Sequence, residues 1–243
     1  MSTVAPPGGL HDPAVRAAAE RALALVADGM CVGLGSGRAA SLFIQLLGAR
    51  CRGGLSVRGV ATSQASADIA RASGIPLLTL DAVDQLDLTV DGADEVAPNL
   101  DLIKGWGGAL VRERIVATAS KRQVIVVGTE KLVQALGARG KVPVEVVPFG
   151  RALVERRIRA LGMVPALRMV EGDLQPFTTE NDNLILDCAP SAPMPDGRAA
   201  RQMEHAVLAI PGVVDTGLFL GTADQVLVGH PDGRVEVLRR AEA

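Results

Sequence analysis

A chain of 243 residues, 48% of them apolar, can bury a full core as one large domain or two modest ones. Aromatics are only 2%, the net charge is −2 and the pI is near 6.0, which argues against a base-stacking surface for single-stranded nucleic acid and against a basic field for a phosphate backbone. The three cysteines (Cys31, Cys51, Cys188) and three scattered histidines form neither a disulfide framework nor a zinc pattern, and a reducing cytoplasm fits them.

Residues 1–11 read as a loose tail with no apolar signal-peptide core. No apolar run approaches the roughly 18 residues of a membrane helix. Asp12-Pro13 is a helix start, because Asp can cap and Pro suits the first helical position. That helix is expected to run to Ala27 and to stop at Gly29. Met30 to Leu34 reads as a strand, followed by a glycine-rich turn and an apolar helix from Ala39 to Leu47 with Gly48 as its stop. Leu55 to Ala61 is a second strand, Thr62-Ser63 caps a helix through Ala72, and Pro76 to Leu80 reads as a third strand. Leu86 to Val90, Leu102-Ile103 and Gln123 to Val127 follow as strands, the last leading to a short helix that reaches Leu136. Strands alternating with helices predict an α/β fold: a mostly parallel, Rossmann-like sheet covered by helices.

The pattern changes after Gly137. Strands at Val142–Val147, Val164–Val170, Leu184–Cys188 and Val213–Leu220 alternate with helices at Arg151–Leu161 and Ala199–Ala209. This β-α-β-β-α-β order predicts a smaller ferredoxin-like α+β domain. Gln225–Val228 and Val235–Leu238, joined by His-Pro-Asp-Gly, form a hairpin that can rejoin the first sheet. The expected division is residues 1–140 with 221–243 as an α/β catalytic domain, and 141–220 as the small domain.

Chemistry concentrates between Asp87 and Ile115. One strand ends in Asp91, Asp94 and Glu95, and another ends in Lys104. A glycine-rich turn then opens a helix carrying Glu113. Ligands of open α/β sheets bind at the carboxyl ends of strands, and acids beside an amine can hold hydroxyls and move protons. Asp91 and Asp94 can equally be turn formers. Glu113 is either a solvent-facing residue of an Arg-Glu-Arg triplet or a base aimed over the Lys104–Gly108 loop. Gly33-x-Gly35-x-Gly37 fails the dinucleotide pattern, since Arg38 stands at the last glycine position and no acid ends the second strand. It is either a tight turn or an anion nest with Ser36 and Arg38 as added donors.

The order of these pieces resembles ribose-5-phosphate isomerase of the A type over nearly the whole chain. The resemblance is carried by Asp91-Gly-Ala-Asp94-Glu95, Lys104-Gly-x-Gly107-Gly-Ala-Leu with Arg112-Glu113, Lys131, Pro143-Val-Glu-Val, Ile210-Pro-Gly-Val-Val and Gly217-Leu-Phe. It implies an aldose–ketose isomerase interconverting D-ribose 5-phosphate and D-ribulose 5-phosphate in the pentose phosphate pathway. Glu113 would then move a proton between C1 and C2 through an enediol. Asp91 and Asp94 would bind hydroxyls and help open the ring, and Lys104 would steady the enediolate. Substrate contacts would come from Ser36, Gly37, Arg38 and Ala39, from Gly92 and Ala93, from Gly105, Trp106 and Gly107, and from Lys131. The family works without metal or nucleotide cofactor and is usually dimeric or tetrameric, so a homodimer or homotetramer is implied.

Two departures mark the resemblance. The family's first loop commonly reads Gly-Thr-Gly-Ser-Thr-Ala, whereas here it is Gly35-Ser36-Gly37-Arg38-Ala39-Ala40. Arg38 can replace a hydroxyl as an anion donor but with a different reach. Trp106 stands where the family usually has Gly. A left-handed backbone there would cost about 1–2 kcal/mol; otherwise the indole lines the site. Two other readings stand beside the isomerase: a sugar-phosphate-sensing module without catalysis, and a related isomerase with a shifted aldose-phosphate substrate.

Overall fold

The computed structural model describes residues 12–170, 172 and 174–240; the expected loose tail lies outside the described residues. Helix α1 (Pro13–Leu23) starts where expected, with the Asp12 carboxylate accepting from Ala14 N at 2.9 Å. There follow β1 (Cys31–Leu34), α2 (Arg38–Arg52), β2 (Arg58–Ala61) and α3 (Gln64–Ala72), which is capped by the Ser63 side chain. Next come β3 (Leu88–Asp91), β4 (Glu95–Val96), β5 (Leu102–Ile103), α4 (Leu110–Thr118) and β6 (Gln123–Gly128). Then come β7 (Val142–Val146), α5 (Arg151–Ala160), β8 (Met163–Leu167), β9 (Leu184–Pro190), α6 (Gly197–Leu208) and β10 (Val213–Thr216). The chain closes with β11 (Leu218–Phe219), β12 (Gln225–Gly229) and β13 (Val235–Arg239).

The main sheet has six strands in the order β13-β12-β6-β3-β1-β2, parallel throughout except for the β12–β13 hairpin. Its central strands are buried along their whole length, as expected where both faces are covered. Val124 and Val126 of β6 pack with α1 and α2 on one face. Ile125 and Val127 pack with Leu110 and Phe219 on the other. The second sheet is antiparallel, in the order β10-β7-β9-β8. Val154 and Ile158 of α5 and Val207 of α6 pack with Val144, Val146 and Leu186 of that sheet, giving the expected ferredoxin-like layering.

Several expected elements differ. Leu102-Ile103 does not join the main sheet; β5 sits in a separate three-stranded sheet, β11-β5-β4. The expected strand Val213–Leu220 splits between two sheets at Gly217, where the chain bonds Pro143 O on one side and receives Lys104 N on the other. Pro76–Leu80 makes only a single bridge, Gly59 to Leu77, before a 3₁₀ turn at Leu80–Ala82. The helix expected to reach Leu136 is a 3₁₀ turn, Thr129–Lys131, because Val133 N is taken by Val96 O. Gly48 does not stop α2 but lies within it, and a Cβ there would come within 2.4 Å of Ser73 Cβ. Helix α1 ends at Leu23, short of Ala27.

Candidate active site

Strand β3 delivers Asp91 to the carboxyl edge of the main sheet, fully buried at 0% exposure. Its Oδ1 accepts from Ser36 N at 3.0 Å and from Gly92 N at 2.7 Å, tying the β1–α2 loop to the end of β3. Gly35 permits this approach, because a Cβ there would lie 2.2 Å from Asp91 Cγ. Asp91 Oδ2 is 2.9 Å from Lys104 Nζ.

Lys104 follows β5 and is 2% exposed. Its ammonium also donates to Gly92 O at 2.6 Å and lies 3.3 Å from Glu113 Oε1. Glu113, on α4, is 5% exposed, so the solvent-facing reading of the Arg-Glu-Arg triplet does not hold. The helical turn sends the flanking arginines elsewhere. Arg112 pairs with Glu180 and bonds Asn181 Oδ1. Arg114 pairs with Asp215, donates to Thr216 O and Leu218 O, and covers the Phe219 ring. Glu113 Oε2 is buried without a hydrogen-bond partner.

Burial pushes the Glu113 carboxyl up to about 8; Lys104 partly offsets this, while Asp91 and Asp94 add to it. Burial works against the Lys104 charge, but Asp91 and Glu113 outweigh it and hold the ammonium well above its ordinary value. Asp94 is also raised by burial, against the opposing pull of the Trp106 N–H, Lys104 and Lys131. Burial lowers Lys131, and the neighbouring charges of Arg139 and Arg38 push the same way while Asp94 opposes them.

These groups meet a cavity of about 510 Å³. Its wall includes Ser36, Gly37, Arg38, Ala39, Gly92, Ala93, Asp94, Lys104, Gly105, Trp106, Gly107, Glu113 and Lys131. Asp91 is the exception among the sequence candidates. It is fully buried behind the cavity wall, its Oδ2 facing the Lys104 ammonium. Ser36 reaches the wall, but its hydroxyl is engaged with Thr62 Oγ1 and Ser63 Oγ, both at 2.8 Å. Helix α2 opens at Gly37 with φ 86° and no side-chain cap, and Gly37, Arg38 and Ala39 at its start line the cavity, the placement an anion nest uses.

Trp106 carries no left-handed strain, since Leu100 and Asp182 are the non-glycine residues with positive φ among those described. The indole lines the cavity and its Nε1 donates to Lys141 O at 3.2 Å. Arg139 and Lys141 lie 5.1 Å and Lys131 5.9 Å from the ring centre. Glu95, grouped with the acids by sequence, turns away to accept from Gly137 N at 2.7 Å and Arg139 N at 2.8 Å. Arg139 is a cavity residue the spacing did not single out; its side chain donates to Asp94 O at 2.9 Å. The only hint was a run of cations, Lys131, Arg139 and Lys141, in one short connection. Among the described residues no group of three or more His, Cys, Asp or Glu is placed to hold a metal ion.

Residues 58–233 match the family model of ribose 5-phosphate isomerase A (phosphoriboisomerase A). The chain belongs to the ribose 5-phosphate isomerase A family. It is 49% identical over 225 residues to ribose-5-phosphate isomerase A of Roseiflexus castenholzii, covering 91% of this chain and 94% of that protein. The counterpart from Parvibaculum lavamentivorans is 45% identical over 228 residues, covering 91% of this chain and 96% of that one. Among solved structures, ribose 5-phosphate isomerase A of Methanocaldococcus jannaschii superposes with a TM-score of 0.87 at 39% identity, covering 94% of this chain and 98% of that chain. A D-ribose-5-phosphate isomerase solved in complex with phospho-erythronic acid gives a TM-score of 0.87 at 38% identity, covering 93% and 97%. Family membership thus agrees with the resemblance read from the Asp91–Glu95 and Lys104–Glu113 motifs.

Proposed function

We propose that Glu113 is the general base of the aldose–ketose isomerisation that interconverts D-ribose 5-phosphate and D-ribulose 5-phosphate in the pentose phosphate pathway. One observation carries this reading: a buried carboxylate with an unpartnered oxygen on the cavity wall, 3.3 Å from a buried ammonium. A carboxyl pushed up to about 8 matches the proton affinity a base needs near neutral pH.

In the open-chain aldose, Glu113 takes the proton from C2 as the C1 carbonyl becomes an enediol oxygen. The same carboxyl then returns that proton to C1 while the proton of the C2 hydroxyl passes to O1 and C2 becomes the ketone, so the proton count closes. Lys104 supplies fixed positive charge for the enediolate, and no side-chain reorganisation is needed at that moment. The neighbour's ligand supports this, because a carboxylate is planar and anionic like an enediolate. Asp94 binds substrate hydroxyls and assists ring opening. Asp91 holds Lys104 in register. The α2 amides, Arg38 and Lys131 receive the phosphate, and Trp106 with Arg139 forms the remaining wall.

Incubation with ribose 5-phosphate should yield ketose, and Glu113→Gln should lower turnover roughly 10²–10⁴-fold with the fold kept. Thermal stabilisation by ribose 5-phosphate with no ketose formed would instead favour a non-catalytic sensor. Comparing ribose 5-phosphate with other aldose phosphates tests whether Arg38 has shifted the substrate.

The reading extends to a division at residues 140 and 221 between a catalytic and a small unit, and to a homodimer or homotetramer. Exposed Val147, Phe149 and Leu153, close in sequence beside the second sheet, support a subunit contact there. A cytoplasmic setting fits the metabolic role; among the described residues no helix is long and apolar enough to cross a membrane.

A further inference from the structure

The Gly105–Gly108 loop joins Lys104 to the helix that carries Glu113, and it is gripped from outside the cavity. Arg168, just past β8, sends Nη1 to Gly105 O at 3.1 Å and to Trp106 O at 3.0 Å. Its side chain is 9% exposed and forks onto Asp187 of β9, with Nε to Oδ2 at 3.0 Å and Nη2 to Oδ1 at 2.5 Å. Asp187 also pairs with Lys141 at 3.2 Å, and the Lys141 carbonyl accepts the Trp106 indole N–H. The Phe177 ring packs on the same loop, since a Cβ at Gly108 would lie 2.5 Å from its Cζ. Trp106 is therefore held through its carbonyl, its backbone N–H to Asp94 and its indole, and two of those three ties lead to the second sheet.

Neither Arg168 nor Asp187 lines the cavity. Arg168 is nonetheless bonded to the loop that joins Lys104 to the Glu113 helix, and Asp187 holds Arg168 there. Gly105 O is met within the turn by Gly108 N at 3.0 Å, whereas Trp106 O takes its hydrogen bond from Arg168, and a buried carbonyl left without a partner is costly. A guanidinium fixed by a carboxylate fork supplies two donors of set direction, which an ammonium cannot reproduce.

We propose that Arg168, fixed by Asp187, is a positioning residue of the isomerase: it sets the Gly105–Trp106 loop so that Lys104 and Glu113 face one substrate in a single geometry. This rests on the assignment of Glu113 and Lys104 above. It predicts a loss of rate that exceeds any loss of binding, because the phosphate contacts are assigned to residues outside this loop.

The test uses the full chain with Arg168→Lys, Asp187→Asn and the double variant, each assayed per folded molecule by near-UV circular dichroism. Arg168→Lys is expected to lower kcat on the order of 10- to 100-fold with KM within about threefold, as a misplacement of roughly an ångström would. The acid limb of its pH–rate profile should also move, because Lys104 and Glu113 are no longer held at one spacing. The double variant should be no worse than the poorer single one, since both break the same clamp. The proposal fails if kcat per folded molecule stays within about twofold of the parent, if only the melting temperature moves, or if the two losses multiply. Glu113→Gln, run alongside, separates the outcomes: normal turnover there overturns the base assignment itself, whereas its loss beside normal Arg168 variants overturns only the clamp.

Discussion

At the scale of single residues, the site is one ammonium enclosed by acids. As the proposed base, Glu113 acts unprotonated, so kcat/KM should fall as pH drops through about 8 and level off above it, as a pH–rate profile would reveal. Stability carries the opposite sign. A carboxyl ordinarily near 4.5 that rises to about 8 binds its proton more tightly folded than unfolded. Its contribution is therefore full below that window and is lost as pH rises through it. Glu113→Gln should flatten the dependence of unfolding free energy on pH between those values, measured by urea titration. Asp91→Asn removes one partner of a buried ion pair and should destabilise the fold by about 3 kcal/mol, the lower end for such changes because Glu113 remains beside Lys104. The lone Trp, Trp106, lines the cavity, so sugar phosphate should alter its emission.

At the scale of elements, the loops that carry chemistry are shaped by what they touch. Gly35→Ala would press a methyl into Asp91 and should cost about 1–3 kcal/mol, read as a lower urea midpoint. The helix caps were legible because they are local: Asp12 and Ser63 both cap as the sequence indicated. So were the buried strands β1, β3 and β6, whose apolar runs need no partner to be recognised. What escaped was decided by partners distant in sequence. Gly48 looks like a stop but is a packing contact with Ser73. Val213–Leu220 looks like one strand, yet Gly217 lets it pass from one sheet to another. Glu113 could not be separated from a surface glutamate until Arg112 and Arg114 were seen to have their own acids. Arg168 and Asp187 were invisible for the same reason, and Arg139 was hinted at only by a run of cations: no spacing rule links them to Lys104.

At the scale of the molecule, the hairpin of β12 and β13 completes the main sheet from the far end of the chain. β12 lies between β6 and β13, and Val226, Leu227 and Val228 are all fully buried. Truncation after Leu220 would strip β6 of its neighbour and both core faces of these side chains. The shortened chain should fail to show a cooperative thermal transition by circular dichroism.

The three-stranded sheet has a further consequence for how the enzyme comes to life on the ribosome. Lys104 N bonds the carbonyl of Gly217, and β5 pairs with Leu218–Phe219, a segment made more than a hundred positions later. Until that segment emerges, the strand before Lys104 has only the two residues of β4 beside it. A nascent chain stalled before Gly217 would carry every side chain assigned to proton transfer and still be inert. Competence should therefore arrive late in translation, behind the helical signal of the amino-terminal half.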